Sequence, residues 1–316
     1  MNRRLAFAAI AALIGLSAGE RAEAETFYAI GDGGLSLLRF SSNDPGSVDR
    51  VGFFGGFGSG LDAIDFRPAT GQLYGYQDLT DSYFVVDLAS AMLTPASAPE
   101  VGASTNTFFL GMDWNPTIDR LRVVTDSGQN LVYNPEDGMA VARTDLFYVP
   151  GDPNEPFAPL VIDNAYTNNL QSNFGGTTQQ YVLDYGLDVL ALLDNNTGRL
   201  TTVGEVTLGG SLIDFDEFVG FDIFTGADGS NIAYALFTLD GETSLYTIDL
   251  STAEATRVGG LDGGFGTPYS LAAVPVPEPS TLALVGLGAV PAAVLAARRR
   301  HRHRRTPPRP SMLSAG

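Results

Sequence analysis

Apolar and polar positions alternate in short runs over most of the chain, and one arrangement of such runs returns about every fifty residues. The clearest copy is Leu61-Asp62-Ala63-Ile64-Asp65-Phe66, followed by Arg67-Pro68-Ala69-Thr70-Gly71 and Gln72-Leu73-Tyr74-Gly75. Ala63, Ile64 and Phe66 predict a strand, Pro68 to Gly71 a turn, and Leu73 with Tyr74 a second strand. With Asp65 as marker, Leu110-Gly111-Met112-Asp113-Trp114-Asn115 repeats it 48 residues on, and Val219-Gly220-Phe221-Asp222-Ile223 a further 109. The longer interval has room for one more unit, and Val161-Ile162-Asp163-Asn164-Ala165-Tyr166 fits there as a weaker copy.

A second pair of runs follows each first pair. Tyr83-Phe84-Val85-Val86, Asn130-Leu131-Val132-Tyr133, Tyr181-Val182-Leu183-Asp184 and Leu245-Tyr246-Thr247-Ile248 hold equivalent places, each leading through a turn to a strand such as Thr201-Thr202-Val203-Gly204 or Thr256-Arg257-Val258-Gly259. That makes four strands per unit, and no capped run of helical period interrupts them between residues 25 and 274. Such units, in a chain with 37 glycines, predict blades of a β-propeller, none of which can bury its faces alone. Phe27-Tyr28-Ala29-Ile30, Leu35-Ser36-Leu37-Leu38 and Asp49-Arg50-Val51-Gly52 resemble strands two to four of a blade without its first, and Tyr269-Ser270-Leu271-Ala272-Ala273-Val274 a first strand without the rest. The expected fold is therefore all-β: a five-bladed β-propeller closed by pairing of its N- and C-terminal strands, followed by a C-terminal hydrophobic helix. A β-sandwich or an open solenoid is the alternative.

Both chain ends depart from this pattern. Residues 1–24 comprise a basic opening with Arg3 and Arg4, an apolar run and the small-residue site Ala22-Glu23-Ala24, which together predict a secretory signal peptide. The propeller body is assigned to residues 25–274. After Val276-Pro277-Glu278-Pro279, residues 282–297 carry no charge and Arg298-Arg299-Arg300-His301-Arg302 follows at once. A helix of that length spans about 24 Å, somewhat less than a hydrocarbon layer of about 30 Å. Positive-inside bias would keep the arginines cytoplasmic and the body outside. The order of Pro-Glu-Pro, apolar run and arginine cluster resembles the PEP-CTERM sorting signal. That resemblance implies export across the inner membrane, transient tethering through residues 275–305, and recognition at Pro277, Glu278 and Pro279 by an exosortase-type membrane protease at the surface of an exopolysaccharide-making cell. Residues 306–316 are expected to be a disordered tail. A permanent single-pass anchor is the competing reading.

Composition narrows the chemistry. With no cysteine, an exported body has no disulfides and holds together by burial alone. Lysine is absent too; eight arginines face 33 carboxylates in residues 25–277, a net charge of −25 that repels nucleic acid. Both histidines lie in the tail, at 301 and 303. The body thus lacks the usual neutral-pH base, soft metal ligands and a Schiff-base amine. Carboxylate-dependent glycan chemistry stays open, but no residue is nominated as catalytic.

The most polar unit holds Asp113, Asp119, Arg120, Arg122, Asp126, Gln129 and Asn130, either a ligand-binding face or cross-strand pairs beside an Asp126-Ser127-Gly128 turn. The in-phase recurrence of Asp65, Asp113 and Asp222 suggests an architectural task, capping a turn near the hub. No cofactor is expected; calcium is the one candidate, at Asp194-Asn195-Asn196 or Asp214-Phe215-Asp216-Glu217, neither of which matches a twelve-residue calcium loop. The Pro- and acid-rich residues 145–159 are expected to form a surface insertion between blades.

The runs Phe66-Arg67-Pro68-Ala69-Thr70-Gly71-Gln72-Leu73-Tyr74-Gly75, Asn115-Pro116-Thr117-Ile118-Asp119-Arg120-Leu121-Arg122-Val123-Val124, Asp126-Ser127-Gly128-Gln129-Asn130 and Ala165-Tyr166-Thr167-Asn168-Asn169 resemble the bacterial family termed domain of unknown function 4394, from about Phe27 to Val274. The resemblance supports the propeller and implies no activity. The functional expectation is an exported, surface-associated, non-enzymatic propeller that binds or builds an exopolysaccharide matrix. The alternative is a carboxylate-dependent glycan-active enzyme on the same scaffold.

Overall fold

The computed structural model describes residues 24–55, 60–97, 102–105, 107 and 109–276. Residues 1–23 of the expected leader, the Pro277-Glu278-Pro279 motif, the apolar run and the tail lie outside these residues. Strands follow in chain order as β1 (Thr26–Gly31), β2 (Ser36–Ser41), β3 (Asp44–Phe53), β4 (Ala63–Arg67), β5 (Gln72–Gln77), β6 (Ser82–Val86) and β7 (Leu93–Pro95). The middle of the chain gives β8 (Leu110–Asn115), β9 (Arg120–Thr125), β10 (Asn130–Asn134), β11 (Met139–Ala142), β12 (Phe147–Tyr148), β13 (Val161–Tyr166), β14 (Gln180–Asp184), β15 (Val189–Asp194) and β16 (Arg199–Glu205). The last part gives β17 (Thr207–Leu208), β18 (Ser211–Leu212), β19 (Gly220–Thr225), β20 (Asn231–Leu239), β21 (Glu242–Ile248), β22 (Glu254–Gly260) and β23 (Tyr269–Ala273). Helical residues among the described ones are confined to the 3-10 turns Asp78–Thr80 and Gln171–Asn173, so none forms a helix long and apolar enough to cross a membrane.

Five antiparallel meanders result, β4 to β7, β8 to β11, β13 to β16, β19 to β22, and the composite order β23-β1-β2-β3. Their first strands touch in the closed cycle β4, β8, β13, β19, β23 and back to β4. This is the five-bladed propeller expected from the repeat. The clasp also forms as expected: Phe27 pairs with Ala273, Tyr28 with Ala272 and Ala29 with Leu271, and the Val274 N–H donates to the Thr26 carbonyl at 2.9 Å. A closed ring leaves no blade with a free face.

The core lies between the blades. Five apolar clusters fill the five inter-blade wedges; one joins Tyr74, Tyr76 and Tyr83 of the first complete blade to Met112, Trp114 and Tyr133 of the next. Trp114 meets Tyr74 edge-on at 4.9 Å, and Tyr83 stacks on Tyr133 at 4.0 Å, geometries that ring quadrupoles favour. Burial falls off with distance from the axis. Every residue of β8 and β13 is buried, whereas β7, β11 and β22 are largely solvated. This gradient explains why first strands read as unbroken apolar runs and fourth strands as Thr-, Arg- and Gly-rich ones.

Two blades carry additions that the four-strand repeat does not foretell. β12 pairs in parallel with β16, and the β17–β18 hairpin joins β22 through β17. Residues 145–159 are mostly exposed, as expected of an insertion, but Leu146 and Tyr148 are buried, and the Tyr148 hydroxyl donates to Asp184 Oδ2 at 2.7 Å.

The clasp contains a β-bulge between Ala29 and Ile30, where Ser270 is the extra residue, at φ +50°. Its hydroxyl accepts the Ile64 N–H of the first complete blade at 2.9 Å. Replacing Ser270 by Ala orphans a buried N–H, so Ser270→Ala is expected to lower unfolding free energy by about 1–3 kcal/mol. Urea denaturation checks this: an unchanged midpoint would deny Ser270 its part in closure.

Candidate functional site: the carboxylate hub

The inner edge of a first strand faces the propeller axis with backbone N–H groups that no neighbouring strand pairs. Buried N–H groups need acceptors. In four blades that acceptor is the in-phase aspartate of the preceding blade. Asp65 Oδ2 accepts the Trp114 N–H at 2.9 Å, Asp113 Oδ2 that of Tyr166, Asp163 Oδ2 that of Phe221 at 2.8 Å, and Asp222 Oδ2 that of Ala273 at 2.6 Å. Ser270 completes the circuit to Ile64. The aspartates therefore bridge blades, where a turn-capping task was expected; the strands converge so closely that the short side chain reaches its neighbour before any turn. Gly111 makes that approach possible, since a Cβ there would lie 2.2 Å from Asp163 Oδ1.

Four carboxyl groups thus crowd one axis, each no more than 4% exposed. Oxygen atoms of Asp65, Asp113 and Asp222 all lie within 4.8 Å of one another. Asp163 and Asp222 turn their second oxygens onto the N–H groups of Asn164 and Ile223 at 2.9 and 2.6 Å. Asp65 Oδ1 and Asp113 Oδ1 are buried with no hydrogen-bond partner. Burial raises all four carboxyls above the ordinary range, Asp65 to about 7, and mutual repulsion adds to the rise at Asp113 and Asp222.

Both ends of the hub are covered. At the end where the first strands finish, residues 167–179 reach across: Gly175 N–H donates to Thr117 O at 2.7 Å, Gln171 Nε2 to Ala69 O at 2.8 Å, and Asn169 N–H to Thr225 Oγ1 at 2.7 Å. There the guanidinium of Arg67 grips Asp119, with Nε at 2.8 Å from Oδ1, and lies 5.2 Å from the Trp114 ring centre. At the other end Phe218 packs between Phe109 and Tyr269, at centroid distances of 6.2 and 6.0 Å, and the Tyr269 hydroxyl donates to Leu61 O. Beside it Asp62 accepts the Asp78 N–H at 2.7 Å; burial, with the nearby Asp78 charge, pushes its carboxyl up to about 6.

The seven residues of the polar unit separate in space. Asp113 belongs to the hub and Asp119 to the Arg67 bridge. Arg120 faces Glu136 at 3.6 Å. Arg122 and Asn130 are buried between blades, the guanidinium donating to Asn130 Oδ1 at 2.6 Å and to Asn196 Oδ1 at 3.3 Å. Asp126 follows β9, in the turn where the Gly128 N–H reaches Thr125 O at 3.0 Å, and Gln129 Nε2 donates to Ser104 O at 3.1 Å. Of the acidic turns, Asn195 and Asn196 serve Tyr166, Asn130 and Arg122, while Asp216 Oδ1 accepts the Phe218 N–H at 3.0 Å. Sequence reasoning missed Asp163 as an equal member and Ser270 altogether. In-phase position could have found Asp163, but the Ser270 bulge has no sequence signal.

A second feature is a surface groove of about 470 Å³ along β14, β15 and β16, lined by Thr178, Gln179, Gln180, Asp194, Arg199 and Thr201 among others. Gln180 is buried, and neither of its side-chain polar atoms has a partner.

Fold and hub define a five-bladed propeller bolted at its axis by carboxylates. The chain belongs to the family described as domain of unknown function (DUF4394), whose model matches residues 36–271. A PEP-CTERM protein-sorting motif matches residues 275–300. The chain is thus an exosortase-sorted, exported protein associated with the cell surface. No curated protein matches it. Among solved structures it is similar to a protein of unknown function from Bacteroides thetaiotaomicron, at 16% identity and TM-score 0.46 over 79% of this chain and 65% of that one. A nidogen/laminin complex chain gives 8% identity and TM-score 0.42 over 79% and 98%. Kuenenia stuttgartiensis hydrazine synthase gives 13% and 0.37 over 64% of this chain, which spans only 49% of that one.

A carboxyl that keeps its proton to about pH 6 in the fold but ionises near 3.8 when unfolded contributes stability at low pH that is lost as pH rises through 6. The stability difference between wild type and Asp62→Asn is therefore expected to shift against the wild type between pH 4.5 and 7. Paired urea titrations across that range test it; a constant difference would contradict the raised Asp62.

Proposed function

We propose that this protein is a non-enzymatic matrix component: a propeller that binds exopolysaccharide at the cell surface after exosortase processing. The observation that carries the reading is the position of the sorting motif. It matches from residue 275, immediately after β23 ends at Ala273. The sorting tail therefore leaves directly from the clasp strand, beside the start of β1 at Thr26. Processing or pulling at the tail acts on the strand that closes the ring, and no linker stands between the address and the body.

The burial of the hub supports binding over turnover. Glycoside hydrolysis needs two carboxyls that flank a sugar, and the hub aspartates lie beneath Phe218 and Tyr269 at one end and residues 167–179 at the other. The groove along β14 to β16 offers the donors and acceptors a polysaccharide would use. Thr178, Gln179 and Thr201 present amides and hydroxyls, and Arg199 supplies a cation for uronate or other acidic sugars within an otherwise acidic body.

Incubation of the purified protein with the producing cell's exopolysaccharide is expected to give retention without release of reducing ends. Arg199→Ala and Gln179→Ala are each expected to weaken retention roughly tenfold, equivalent to about 1.4 kcal/mol. Sugar release that persists through purification would overturn the non-enzymatic reading in favour of a glycan-active enzyme; absence of retention would overturn the polysaccharide partner.

A further inference from the structure

We propose that the axis of this propeller is a calcium site, formed by carboxylate oxygens of Asp65, Asp113 and Asp222. The inference is independent of the matrix reading. Three observations meet at one point.

The first is distance. The three ligand oxygens lie within 4.8 Å of one another. Oxygens that close can share one ion, and calcium, which tolerates irregular geometry, suits ligands fixed on converging strands better than magnesium, which demands a near-ideal octahedron. The donors are all hard oxygens, with no histidine or cysteine among the residues of the body, which disfavours zinc and copper.

The second is unsatisfied polarity. Asp65 Oδ1 and Asp113 Oδ1, in side chains only 2% and 1% exposed, have no N–H or hydroxyl partner, and the two carboxyls stand close enough to share a proton when no cation is bound. A buried polar atom without a partner is costly. Each Oδ2 joins blades and Asp222 Oδ1 accepts the Ile223 N–H of its own strand, so Asp65 Oδ1 and Asp113 Oδ1 are the two oxygens left to hold an ion, and an Asp222 oxygen would add to them through its remaining lone pair.

The third is the lack of a protein cation. The body has no lysine. Among the described residues Arg67 is engaged by Asp119 and Arg122 by Asn130 and Asn196, while Arg50 pairs with Asp32 and Arg257 with Glu242. Several carboxylates in so small a buried volume must be neutralised by protons or by a bound cation. At the neutral pH of the cell surface a divalent ion does this while leaving every Oδ2 ionised to accept its interblade N–H, which strengthens those bonds. A proton held by Asp113 and donated to Asp65 is the competing arrangement, and it too leaves each Oδ2 an acceptor.

The covers at both hub ends make the ion slow to exchange once the ring has closed. Protein purified without chelator is therefore expected to retain about one calcium per chain through gel filtration, measured by elemental mass spectrometry, and chelation during renaturation is expected to lower its melting temperature by several degrees. Terbium supplied in place of calcium should be sensitised at 280 nm by the single tryptophan, Trp114, whose backbone N–H already binds Asp65. Asp113→Asn and, as a second variant should that one fail to fold, Asp222→Asn are expected to lose the metal and the emission. Asp216→Asn, in an acidic loop outside the hub, should keep both. Metal-free protein whose melting point is the same in millimolar calcium and in chelator would overturn the site and leave protonated carboxyls at the axis; metal lost in Asp216→Asn but kept in both hub variants would move it to the loop.

Discussion

The structure depends on how a ring of sheets satisfies the backbone at its own centre. Each blade pairs its strands internally, but the first strand of each turns N–H groups toward the axis, where no neighbouring strand pairs them and the aspartates that meet them are buried. One side chain per blade resolves this by accepting an N–H from the next blade. Asp65, Asp113, Asp163, Asp222 and Ser270 form a circuit in which every bond crosses an interface between blades. Closure is thus enforced from the inside by these bonds and from the outside by the pairing of β1 with β23.

The circuit has an electrostatic consequence. An aspartate is short enough to fit between converging strands and carries two acceptors, but four of them bring four acidic groups into one buried space. The fifth position, at the clasp, holds a serine on a bulge, which makes the same hydrogen bond without adding charge. Gly111 and Gly220 keep the first strands close enough for these bonds; a Cβ on Gly220 would lie 2.7 Å from the Leu271 N. The apolar wedges between blades fix the distances, because aromatic stacks such as Tyr83 on Tyr133 tolerate little displacement.

Export and architecture meet at the same strand. β23 is both the first strand of the composite blade and the last element before the sorting motif. A chain emerging N-terminus first can form β1 to β22 in order, but the composite blade waits for β23. The ring closes last, next to the segment that addresses the protein to its sorting system.

Much of the fold was legible because blade geometry is local. A period near fifty residues, four runs per period and the incomplete units at Phe27 and Tyr269 follow from side-chain alternation and turn chemistry within each blade, and they determined the blade number and the pairing of the two ends. The sorting address is equally local, a linear order of Pro-Glu-Pro, apolar run and arginines. The partners of the in-phase aspartates were not legible, because each lies about fifty residues away in a neighbouring blade, and only ring closure brings Asp65 to Trp114 or Asp163 to Phe221. For the same reason the polar unit around Asp119 and Arg122 reads as one patch along the chain but is divided among the hub, the Arg67 bridge and an inter-blade seam. Alternation says which face a residue occupies; what it meets there is decided by the sheet packed against that face.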